Sequence, residues 1–211
     1  MSLFLGKIHY WLFNKIVWFE NLEREIINIS KTSNIDFDKI QKEIEDKYGK
    51  MTPDMPLEEI IDKENIHGWL QEKINNAEGR MASWVRTIIV NDVEDIIKIQ
   101  NVYIEQGIKA ANEVKKSNME FYAANEIYSR INDYILDGMP CDRVDEIIEN
   151  TEDSSTWKKR ICVHKEIWEN ENINVEQFYN LRDLWIKAFV NTLNDKFQYI
   201  KNDNGTFSIK R

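Results

Sequence analysis

Three histidines stand in this 211-residue chain, and two of them sit in matching surroundings. The segments Ile8-His9-Tyr10-Trp11-Leu12 to Glu20 and Ile66-His67-Gly68-Trp69-Leu70 to Glu78 share the pattern I-H-x-W-L-x-x-K-I-x-x-x-E, offset by 58 residues. Each histidine has a tryptophan two residues on and a glutamate eleven on. Imidazole with carboxylate is a donor set for zinc, iron or manganese, and also an acid–base pair. A repeat that carries the scarcest polar residue type with it points to a site shared between two helices.

Helix geometry limits how such a site is built. Eleven residues make about three turns and rise roughly 16 Å, so His9 and Glu20 share a face but cannot bind one ion, and the same holds for His67 and Glu78. The site must therefore combine residues across helices. Parallel copies would bring His9 level with His67 and Glu20 level with Glu78. Antiparallel copies would make two separate His–Glu pairs. With one short helix between the copies, helix counting favours the parallel case. If Asn65 caps the second copy, His67 lies in its first turn, where the helix dipole disfavours the imidazolium and leaves a neutral, ligating ring.

His164 joins through a stripe of its own, Trp157, Ile161, His164 and Trp168, at helical spacing. The expected ligand-binding set is thus His9, His67, His164, Glu20 and Glu78. The metal-ligating set is the three histidines, with Cys141 beside them because it opens a helix where the dipole lowers a thiol pKa. Each residue also has a plain reading. A histidine on an apolar face is commonly a core residue bonded to a carbonyl or carboxylate. A small cysteine after Pro140 packs well under a turn. Cys162 reads as core, and Arg80, Arg86 and Arg182 read as anion-neutralising residues or partners of acids. No Gly-rich phosphate loop, G-x-S-x-G or C-x-x-C pattern occurs, so no reaction is assignable.

The elements that must position these residues follow a helical period. Residues 3–29 carry the stripe Leu5, Ile8, Leu12, Ile16, Phe19, Leu22, Ile26. A short helix over 37–48 ends at Gly49, residues 51–56 form a loop with Pro53 and Pro56, and 57–61 make a turn or two. The second copy spans 65–90. Capping pairs Asn91/Glu94, Ser117/Glu120 and Asn174/Gln177 start helices over 92–116, 118–137 and 175–196. Short helices are expected over 142–149 and 156–169. The tail, 199–209, reads as a β-hairpin turning at Asp203-Asn204-Gly205. The fold class expected is an all-α multi-helix bundle around the two repeat helices, forming one domain over 1–211. Trp11, Leu12, Ile16, Phe19, Trp69, Leu70, Ile74, Trp84, Ile131, Trp168, Trp185 and Phe189 are the expected core.

Composition sets the outer bounds. Seven glycines, three prolines and 31% charged residues suit a soluble helical chain. A net charge of −9 argues against nucleic acid and anionic membranes as partners, and fits a basic protein partner or a small ligand. Residues 3–19 are nearly all apolar but too interrupted for a membrane span. Two cysteines, Cys141 and Cys162, imply no disulfide framework and a cytoplasmic setting. The expected function is a helical bundle that binds a divalent metal or small ligand at a buried His/Glu cluster. The competing reading is a non-enzymatic acidic interaction or regulatory protein whose histidines are structural. No signal fixes the oligomeric state.

Overall fold

The computed structural model describes residues 5–31, 35–116 and 123–211. Helices dominate these residues, accompanied by a small antiparallel four-stranded sheet. The helices are α1 (Lys7–Lys31), α2 (Phe37–Tyr48), α3 (Leu57–Ile60), α4 (Ile66–Asn91), α5 (Ile96–Lys115), α6 (Ala124–Ile131), α7 (Lys165–Asn170) and α8 (Val175–Leu193). The strands are β1 (Asp145–Asn150), β2 (Ser154–Lys159), β3 (Gln198–Lys201) and β4 (Thr206–Lys210), in the order β1-β2-β4-β3. No helix of the described residues is long and apolar enough to cross a membrane.

Local chemistry sets the helix ends where the sequence predicts them. The Asn65 side chain accepts the Gly68 N–H at the start of α4, and Asn174 accepts the Glu176 N–H at the start of α8. Gly49 closes α2 at φ +70°, a conformation a side chain resists. The helix expected from Asn91 begins later, because Asp92 caps a short 3₁₀ turn before α5. The Ser117/Glu120 capping pair lies outside the described residues, and α6 is much shorter than the helix expected there.

Two elements differ in kind from the all-α expectation. Residues 142–149 contribute β1 rather than a helix, and 156–169 divide into β2 and α7. The reason is visible in the turn. Thr151 donates its N–H to the Ser154 carbonyl, while Ser154 N–H returns a bond to Thr151 Oγ1, which closes a hairpin. Once that turn forms, Ser155 and Trp157 point inward while Thr156 and Lys158 point outward, the two-residue alternation of a strand. The C-terminal hairpin forms with Gly205 at φ +77°, and β4 adds to β2 to make one sheet.

A single cluster of buried apolar side chains runs from Leu12 on α1 to Ile209 on β4. Trp11 and Trp69 are only partly buried, whereas the other ten expected core residues are buried. α1 and α4 pack side by side and parallel, as contacts near both ends require: His9 meets His67, and Glu23 meets Arg80. α5 and α8 approach closely at Gly107, where a Cβ would stand 2.4 Å from the Trp185 carbonyl oxygen. The sheet lays Trp157 and Phe207 against α6, with the Tyr128 and Trp157 rings 4.6 Å apart, and β3 packs against α8.

Candidate functional site

The five expected site residues separate into three places. At the N-terminal ends of α1 and α4, His9 Nε2 lies 3.3 Å from His67 Nε2. His9 is buried and accepts the Gly6 N–H at Nδ1, 2.9 Å away. A neutral ring accepting at Nδ1 carries its proton on Nε2, so His9 donates to His67. Burial, and then the neighbouring His67, lower the His9 pKa. His67 itself is exposed.

Eleven residues further along α1, Glu20 turns to a different partner. Arg80 Nη2 donates to Glu20 at 2.6 Å, and Arg80 Nε donates to both oxygens of Glu23 at 3.0 and 3.2 Å. Thr52 N–H and hydroxyl also donate to Glu20, which fixes the 49–56 loop over the two helices. All three charged side chains are buried. Burial raises the Glu23 carboxyl to about 7 against the pull of Arg80.

Glu78 faces the other way, toward His164. The His164 ring is 0% exposed, with Nδ1 2.8 Å from Glu78 Oε2 and Nε2 2.8 Å from Asp137 Oδ1. Burial alone would lower its pKa, but the two carboxylates outweigh it and raise the ring to about 9, an imidazolium at neutral pH. Arg182 Nη1 donates to the same Asp137 oxygen at 3.2 Å, and Lys159 bonds the other. Lys159 also pairs with Asp145 at 2.7 Å, and Asp145 accepts from Tyr128. Burial would raise the Asp137 carboxyl, yet Arg182, Lys159 and His164 hold it well below the usual range. This network joins α4, the segment after α6, both strands of the first hairpin, the start of α7 and α8.

Lys15 lies buried near the edge of that network. Its ammonium sits 3.9 Å from the centre of the Trp11 ring, with no ion pair or hydrogen bond to a described residue. Burial lowers its pKa to about 8, although Asp137 and Asp133 pull the other way.

The expectation of a zinc, iron or manganese site, or a small-ligand site, at a buried His/Glu cluster is overturned. Among the described residues no group of three or more His, Cys, Asp or Glu side chains could hold a metal ion. His9 and His67 meet without a carboxylate. Glu20 is consumed by Arg80 and Thr52. His164 has a carboxylate on each ring nitrogen, and those nitrogens point in opposed directions, so its three groups cannot converge on one ion. Cys141 is exposed and joins no cluster. The two copies of the sequence pattern therefore occupy unlike surroundings.

Sequence reasoning missed Asp137, Lys159, Asp145 and Glu23 as members of buried polar networks, and Lys15 as a buried cation set against Trp11. One signal was available for Lys15, which interrupts an otherwise apolar helix face. No protein-family model matches the chain, nor does any curated protein or solved structure.

Proposed function

We propose that this chain is a non-enzymatic interaction protein, acting in the cytoplasm, that takes a basic extended segment of a partner along the open edge of β1. The interior charges support a structural role, because Glu20, Glu23 and Arg80, and likewise Glu78, His164 and Asp137, spend their bonding capacity on one another. The observation that carries the reading is β1 itself. It is an edge strand with five of six residues exposed, among them Ile147 at 44% and Ile148 at 54%.

The ladder leaves this edge chemically open. Arg160 N–H bonds the Val144 carbonyl, so alternation turns the main-chain groups of Asp145 and Ile147 away from β2. An added strand would satisfy them, as in β-augmentation. Asp145 and Glu146 are paired with Lys159 and Lys158, but Glu149 and Glu152 follow the two isoleucines without such partners among the described residues, which favours lysine and arginine beside apolar residues in the incoming segment. The same charge and the bulge after Ile147 discourage pairing with a second copy.

The test is a titration with a synthetic peptide of alternating lysine and valine, followed by amide hydrogen exchange. Binding protects the Asp145 and Ile147 amides, and Ile147→Pro abolishes it while leaving the β1–β2 ladder intact. Unchanged exchange at both amides under saturating peptide refutes the reading.

A further inference from the structure

A groove of about 380 Å³ lies on another face, between the exit of β2, the β3–β4 turn and the first turns of α8. Its size falls within the range of small-molecule sites. Lys159, Arg160 and Lys201 line it with one carboxylate, Glu176, and because carboxylates behind the groove pair with both lysines, Arg160 is its unpaired cation among the described residues. We infer that this groove binds a small aromatic anion, a flat ring bearing a phosphate or carboxylate group.

Two of the cations are held in place from behind. Lys159 is anchored by Asp137 and Asp145, and Lys201 by Asp183 at 3.1 Å. Arg160 is exposed and forms no ion pair with a described residue, so its planar fork is available for bidentate contact with an oxyanion. The ring preference comes from Tyr179 and Phe207, which also line the groove. Tyr179 is itself braced by the Arg182 guanidinium, 4.7 Å from its ring centre. Preorganised cations over an aromatic surface lower the ordering cost of binding. The opening residue Gly205 has no atom within 4 Å of where a Cβ would stand, so the mouth of the groove is clear on the turn side.

The groove carries its own reporter. Cys162 lines it, exposed, with its sulfur accepting the Tyr179 hydroxyl at 3.0 Å, while Cys141 is also exposed but not among the lining residues. Iodoacetamide modification of both thiols is followed by mass spectrometry on the intact protein. Phenyl phosphate and benzoate serve as probes, and sodium chloride at matched ionic strength is the control. Phenyl phosphate or benzoate slows Cys162 about threefold when present at about twice its Kd and leaves Cys141 unchanged. The stronger of the two tells phosphate from carboxylate. Arg160→Gln, at an exposed position without an ion pair to a described residue, removes the protection without altering thermal unfolding, and Lys201→Gln weakens it. Equal slowing by sodium chloride, equal slowing of both cysteines, or no slowing at Cys162 overturns the proposal.

Discussion

His164 and Asp137 are bonded across 27 residues, Nε2 to Oδ1 at 2.8 Å, and the whole β1–β2 hairpin lies between them. The bond closes the base of that hairpin, and Glu78 on the opposite ring nitrogen ties the closure to α4. The small sheet is thereby joined to the helices through charge as well as through Trp157 and Phe207. Replacing His164 by Gln leaves Glu78 in the interior without its cation, while Asp137 keeps Arg182 and Lys159. Loss of one partner from a buried ion pair costs about 3–5 kcal/mol, and urea unfolding at pH 7 should show a loss of that order.

The same residue fixes a pH dependence. His164 is raised to about 9 in the folded state against an ordinary value of 6.5. A raised value contributes stability in full below 6.5 and loses it as pH climbs toward 9. His9 runs the other way. Its lowered value means the unfolded chain binds the extra proton, so its contribution falls as pH drops below 6.5. NMR titration of the imidazole carbons checks both: one ring should titrate near 9 and one below 6.5. Midpoints near 6.5 for both rings would contradict the surroundings described for His164 and His9.

Much of the helical scaffold is legible in the sequence because each boundary has a local cause: Asn65 and Asn174 accept backbone N–H groups, and Gly49 takes a positive φ. The stretch over 142–169 is not legible in that way. Its glutamates, lysines and isoleucines satisfy a helical pattern, and the Thr151–Ser154 turn that makes it a hairpin rests on a four-residue bonding pattern with no glycine to announce it. The same change of element sets the site. His164 sits at the start of α7, not mid-helix on a stripe with Trp157, so its direction could not be read from spacing. The parallel packing of α1 and α4 did bring His9 to His67. Glu20 and Glu78 went elsewhere because acceptors pair with the nearest buried cation, and the choice between Arg80 and a histidine is made in three dimensions.

Lys15 offers a substitution expected to stabilise. Its value near 8 lies below the ordinary 10.5, so the buried ammonium opposes folding at neutral pH, and that penalty lifts as pH passes from 8 toward 10.5, against the loss from His164. Lys15→Met keeps the stem's packing on Trp11 and removes the charge. The gain should be about 1–3 kcal/mol at pH 7 and should shrink as pH rises toward 10.5. Thermal melts of the two proteins across pH 7 to 10 make the comparison.

Gly107 tests the packing of α5 on α8 without touching any charge. A Cβ there would stand 2.4 Å from the Trp185 carbonyl oxygen and 3.3 Å from the Ala188 methyl. The first contact is with backbone, which cannot rotate away as a side chain does, so the helices must separate. In an open helix the change from Gly to Ala would stabilise by nearly 1 kcal/mol. Here overpacking should win, with a net loss of about 1–3 kcal/mol. The loosening should reach the 3.0 Å hydrogen bond from Trp185 Nε1 to Gln106, the residue beside Gly107, and so shift tryptophan fluorescence as well. Gly107→Ala with unchanged or higher stability and an unchanged emission spectrum would mean that α5 and α8 do not meet at this position.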